Sequence, residues 1–146
     1  MVDGGPAIEG ALREAASHND ELADHTILRA YAESLLAYAR ERRATSLIGA
    51  TPIAERLIGA ALVLDAGRTC DVTRDGSGTA LVVDINLASG TSLARAARRA
   101  RHLGAKKVDG VVLHWLLSVT PTADECGVDH LGKLEATGVG AGLRTA

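Results

Sequence analysis

The chain has no phenylalanine, and aromatic residues make up only 2% of it. Proteins that read single strands stack successive bases on rings, so this composition excludes a base-stacking platform. A formal net charge of -2 removes a second route, a basic field that gathers phosphate backbone or anionic lipid. Neither nucleic acid nor a membrane surface is therefore an expected partner. Cysteine is scarce: Cys70 and Cys126 form no C-x-x-C pair, which rules out the usual structural zinc spacing and a disulfide framework. No run approaches the roughly 18 apolar residues of a membrane span. The opening Met1-Val2-Asp3-Gly4-Gly5-Pro6 lacks the basic-then-apolar order of a secretory signal, so a reducing cytoplasm is predicted.

What is present is apolar aliphatic: 47% of the 146 residues are hydrophobic, enough for one domain with a single core and no staples. Residues 7–17 read as a weakly amphipathic helix. A longer helix is predicted over 20–43, with Asn19 or Asp20 as cap and Ile27, Leu28, Tyr31, Leu35 and Tyr38 on one stripe. Residues 46–50 read as a buried strand, and Thr51-Pro52 starts a helix over 52–64. Residues 69–73 read as a short strand and 75–78 as a turn. A connection that short cannot cross between adjacent parallel strands, so this strand is antiparallel to its successor or absent. Ala80-Leu81-Val82-Val83 suits a strand buried on both faces, ending at Asp84. A loop over 85–90 then opens a helix over 91–103, closed by Gly104, and 108–115 is the next strand. Strand, helix and strand in this order make a βαβ unit and imply a parallel sheet. After Thr120 the chain offers at most a short helix near 129–136.

In parallel α/β sheets ligands bind beyond the carboxyl ends of strands. Here Asp84 is followed by Ala88, Ser89, Gly90, Thr91 and Ser92, which lead into a helix start. Small side chains let backbone N–H groups approach an anion, Ser and Thr add donors, and the helix dipole favours negative charge. A carboxylate just upstream can accept from sugar hydroxyls. Phosphate plus ribose is the ligand class that fits; a capped helix after a tight turn, binding nothing, is the alternative.

The run Leu81-Val82-Val83-Asp84-Ile85-Asn86-Leu87-Ala88-Ser89-Gly90-Thr91-Ser92 resembles the phosphoribosyl-diphosphate motif of type I phosphoribosyltransferases: an apolar strand, two acidic residues, two mostly apolar residues, then Thr-Thr-Gly-Gly-Thr or a variant. The family's helix and Gly-Ala-x-x-Val strand opening are matched by 91–103 and Gly104-Ala105-Lys106-Lys107-Val108. Upstream, Leu47-Ile48-Gly49-Ala50-Thr51-Pro52-Ile53 is similar to the diphosphate loop of orotate-type members. The resemblance implies a Rossmann-like α/β type I phosphoribosyltransferase fold with N-terminal helices and a shortened hood, spanning the chain as a single domain. It further implies that Ala88 to Ser92 cradle a 5′-phosphate, that Asp84, with Asn86 nearby, faces the ribose, and that Thr51 faces diphosphate. Mg2+ would arrive with phosphoribosyl diphosphate rather than as a tightly held cofactor, and a homodimer or partner protein would complete the assembly.

The sequence also departs from the pattern. Ile85 stands at the second acidic position, Ile53-Ala54 replace the Gly-Gly of the diphosphate loop, and no lysine precedes Lys106 to arm a hood. A transfer through an oxocarbenium-like state needs water excluded and diphosphate charge stabilised. The chain is short of both devices, so either a reduced orotate-type transferase or a non-catalytic sensor or partner subunit is expected. A methyltransferase-like domain is the runner-up, opposed by Asn86 and Ala88 at its expected glycines; a structural module with a vestigial loop is the third reading.

Other groupings carry less. Tyr31 and Tyr38 suit a core or subunit contact, and Arg95, Arg98, Arg99, Arg101, Lys106 and Lys107 a solvated face. Arg56 is a phosphate contact or a surface ion-pair partner. His18 and His25 lack metal-ligand spacing. His114 ends a strand as a core, edge or crevice residue, and Asp124-Glu125-Cys126 with His130 lacks nucleophile–base order.

Overall fold

The computed structural model describes residues 4–65, 78–116 and 121–136. The candidate strand at 69–73, Cys70 and nearly all of the 75–78 turn lie outside them. The described chain runs α1 (Gly4–Glu21), α2 (His25–Glu41), β1 (Ser46–Gly49), α3 (Pro52–Asp65), β2 (Thr79–Leu87), α4 (Thr91–His102), β3 (Lys107–Trp115) and β4 (His130–Lys133). The strands form one open sheet in the order β1-β2-β3-β4, every pairing parallel. The protein is therefore α/β with a Rossmann-like, all-parallel sheet. No helix among the described residues is long and apolar enough to cross a membrane.

Strand alternation decides which helix covers which face. Leu81, Val83, Ile85, Val111 and Leu113 point to one side and bury Leu35, Ala39, Leu57, Ile58 and Ala61 of α2 and α3. Ala80, Val82, Val108 and Val112 point to the other and bury Leu93, Ala96, Ala97 and Ala100 of α4, together with Val128. The connections β1–α3–β2 and β2–α4–β3 step the same way across the sheet while their helices lie on opposite faces. The consequence is local: β1 and β2 are neighbours whose chains leave to opposite faces, which opens a crevice beyond their carboxyl ends.

Several sequence expectations shift. The expected helix over 20–43 is broken at 22–24: α1 continues to Glu21, and α2 is capped by Asp24, whose carboxylate accepts from the N–H groups of Thr26 and Ile27. Asn19 and Asp20 belong to α1 and are not its cap. Leu22 supplies the reason, since burying it to 2% exposure requires the chain to turn inward there. The expected loop from Ile85 is strand through Leu87, because Ile85 is 1% exposed in the α2/α3 core and Asn86 and Leu87 pair with His114 and Trp115. The expected helix near 129–136 is instead β4, paired with Asp109–Val112. Its Gly132 lies so close to Tyr38 that a Cβ there would meet the ring hydroxyl, and the ring would have to shift to admit one. The helix expected over 7–17, the helices after Thr51 and Gly90, and strands β1 and β3 form within a few residues of expectation.

One buried charge ties α2 to the sheet. Asp109, fully buried on β3, accepts from Arg42 Nε at 3.0 Å just beyond α2. Its other oxygen, Oδ1, is buried without a hydrogen-bond partner. Removing one member of a buried pair leaves an uncompensated charge, whereas exposed i,i+4 pairs contribute little. Arg42→Met, which leaves Asp109 only the longer contact with Lys107 Nζ at 4.0 Å, is expected to destabilise by about 2 kcal/mol in urea unfolding. Arg29→Met, which breaks the exposed pair with Glu33, should cost below about 0.5 kcal/mol. Equal losses would show that the buried pair does not anchor α2.

Candidate functional site

β2 delivers Asp84, Asn86 and Leu87 to the carboxyl edge of the sheet, and the chain then turns through Ala88 and Ser89 into Gly90. Gly90 has φ 85°, a left-handed conformation that glycine adopts without Cβ strain. A Cβ there would also meet Cys126 Sγ at 2.7 Å, so buried Cys126 and Pro121 back the turn from behind. Ser89 Oγ and Thr91 Oγ1 share a hydrogen bond of 2.9 Å, and the Thr91 N–H points weakly at Ser89 Oγ, 3.4 Å away. Ala94 N–H donates to Gly90 O, closing the first helical turn. Among the described residues the N–H groups of Ser92 and Leu93 find no acceptor, as expected for a helix start without a side-chain cap. They border a hollow of ≈ 100 Å³ lined by Asp84, Asn86 and the stretch Leu87 to Leu93. At about 30 Å³ per water, that is room for a few waters or one tetrahedral oxyanion.

The crevice between β1 and β2 adjoins it. Its ≈ 330 Å³ are lined by Asn19, Thr51, Pro52, Ile53, Asp84, Ile85, Asn86 and Ser92. Asp84, Asn86 and Ser92 border both cavities. All eight residues expected at the site converge here: Thr51 at the mouth of the crevice, Asp84 and Asn86 at the seam, Ala88 to Ser92 around the hollow.

Asp84 is the pivot. Its Oδ1 accepts from Thr51 Oγ1 at 3.0 Å and from the Ile85 N–H at 2.8 Å. Burial pushes its carboxyl above the usual carboxylate range, and those two donors pull the other way. Thr51 also accepts from the Ala54 N–H, while Glu55 reaches back to the Gly49 N–H at 3.0 Å. The start of α3 thus has its Ala54 N–H capped by Thr51, Glu55 ties the helix back to the end of β1, and the Thr51 hydroxyl is already directed at Asp84. Ile85, at the second acidic position, buries its side chain in the core and brings no polar side-chain group to the crevice it lines. Arg56 is exposed on α3.

Asn86 serves a different master from the one expected. Its amide Nδ2 donates to Asn19 Oδ1 at 3.3 Å and, weakly, to Ala15 O, which turns Oδ1 toward His18 Nδ1 at 2.8 Å. That orientation makes His18 Nδ1 the donor. The His18 ring lies on the His114 ring with centroids 3.5 Å apart and planes at 17°, and Tyr31 meets His114 edge-on at 6.3 Å. Sequence reasoning passed over His18 and Asn19 as site residues and left His114 open. Only spacing could have signalled them: Ala15, His18, Asn19 and Leu22 follow i, i+3, i+4, i+7, the inward stripe of α1. Among the described residues no cluster of three His, Cys, Asp or Glu can hold a metal. Asp84 is the one carboxylate among the residues lining the two cavities.

No family model matches this chain, and no curated protein is significantly similar to it.

Burial, then the neighbouring His18 and Lys133, hold His114 down to about 4 from the ordinary 6.5. A base whose folded pKa is depressed binds its proton more readily when unfolded, so stability falls as pH drops from 6.5 toward 4. Above 6.5 this contribution is complete. Thermal melts across that window should show wild type losing more stability than His114→Gln. Parallel pH profiles would exclude the buried imidazole as the cause.

Proposed function

We propose that this protein binds a ribose 5-phosphate ligand, phosphoribosyl diphosphate or a nucleotide, on a type I phosphoribosyltransferase-like scaffold, and that binding is what its site now does. The observation that carries this reading is the hollow of small residues, fronted by uncommitted first-turn N–H groups, that opens beside a buried carboxylate. A phosphate in the hollow is met by backbone donors and the positive end of α4. The ribose then reaches Asp84, which accepts from hydroxyls as readily as it now accepts from Thr51.

Several features favour binding over autonomous transfer. Catalysis needs groups that strengthen their hold as diphosphate departs. At the start of α3 Pro52 has no N–H and the Ala54 N–H is engaged by Thr51, and one sugar contact is missing where Ile85 is turned into the core. A sensor or partner subunit, as a homodimer or with a second protein, accords with that inventory. A reduced orotate-type transferase would need the missing groups supplied from elsewhere.

The ligand is identified by thermal shift and calorimetry on the whole chain. Phosphoribosyl diphosphate, ribose 5-phosphate or a nucleoside monophosphate should raise Tm by mass action. Asp84→Asn keeps an acceptor for Thr51 and the fold, but should weaken ribose 5-phosphate binding about tenfold, the loss of one charge-assisted contact. Stabilisation by S-adenosylmethionine alone would support a methyltransferase-like domain. No response to any sugar phosphate would leave the loop as a plain helix cap and end the proposal.

A further inference from the structure

The feature that the ribose-phosphate reading does not use is the histidine stack at the mouth of the sheet. His114 and Asn86 are register partners on adjacent strands, so their side chains stand next to each other. Tyr31 closes a third side. Into this seat α1 places a flat nitrogen heterocycle: the His18 ring lies 3.5 Å over His114 and donates to Asn86 Oδ1. A ring face to stack on, a carbonyl to accept an edge N–H and an aromatic edge alongside are the elements with which proteins hold nucleobases. The seat adjoins the phosphate hollow at Asn86, which lines the hollow and accepts from His18.

We infer that His18 is a tethered occupant of a nucleobase seat formed by His114, Asn86 and Tyr31, and that a nucleoside 5′-monophosphate displaces it. The inference rests on the ribose-phosphate reading and extends it from sugar phosphate to nucleotide: phosphate at 88–92, ribose at Asp84, base on His114. α1 is suited to leave. Among its described side chains Ala15, His18 and Asn19 face the body, while Arg13, Glu14, Ala16 and Ser17 are exposed and Leu12 is 66% exposed. When it lifts, the Asn86 acceptor passes from an imidazole N–H to a base N–H. While the seat is filled, the apparent affinity for a nucleotide is reduced by the fraction of molecules in which it is open.

Calorimetry on the full chain with AMP, UMP and the baseless control ribose 5-phosphate tests this. If the seat is open about a tenth of the time, His18→Ala should bind AMP or UMP about tenfold more tightly, with ribose 5-phosphate unchanged. His18→Gln, which can still bond Asn86 but cannot stack, should act in the same direction and covers the case in which His18→Ala unsettles α1. His114→Ala should lower the nucleotide affinity toward that of ribose 5-phosphate. In wild type, AMP or UMP, but not ribose 5-phosphate, should speed amide exchange along α1. Nucleotide and ribose 5-phosphate binding equally in every variant would overturn the base seat and leave the phosphate site standing. Failure of ribose 5-phosphate itself to bind would remove the underlying reading and this one with it.

Discussion

The structure depends on β2 being hydrogen-bonded on both sides. Wedged between β1 and β3, it has no free edge, and its residues Leu81 to Ile85 are buried between two layers of helix. A polar side chain on such a strand must find partners within the fold. Asp84 finds them in Thr51 and the Ile85 N–H, and so binds the β1 loop to the end of β2. The same contact sets the crevice, since Thr51 is both the cap of α3 and the donor to Asp84. Cavity, carboxylate and helix start are consequences of one crowded strand.

The two helix starts that face the crevice have solved the same problem differently. At α3 the Ala54 N–H is met by Thr51, a residue of the chain itself. At α4 a left-handed glycine turn supplies no side-chain cap, and backing by Cys126 holds the bend open rather than filling it. Uncapped donors cost free energy unless water or a ligand meets them, and at α4 the N–H groups of Ser92 and Leu93 carry that cost. α1 then closes over the end of the sheet through Asn86, putting polar side-chain contacts where the helices below make apolar ones.

Local pattern made much of this legible. Four apolar residues before Asp84 announced a doubly buried strand, and the run of small residues ending at Gly90 announced an exposed helix start; both follow from chemistry within a dozen residues. Thr51-Pro52 likewise marked where α3 begins. The limit of the strand was not legible, because Ile85 and Asn86 are strand by virtue of partners on β3 far along the chain. Nor was β4: His130-Leu131-Gly132-Lys133 has no period-2 signal, and it is a strand because β3 offers an open parallel edge, with Gly132 packed close against Tyr38.

Sequence alone therefore determined the α/β class, the strand that carries Asp84 and the small-residue turn beyond it, because burial and helix starts are written in adjacent residues. Tertiary structure decided which neighbours those residues received: Thr51 on Asp84, Cys126 behind Gly90, and His18 on His114, separated in sequence by most of the domain. Such contacts arise from opposite-facing crossovers and the inward stripe of α1. No local pattern encodes them, since each side chain is unremarkable until packing brings its partner within a few ångströms.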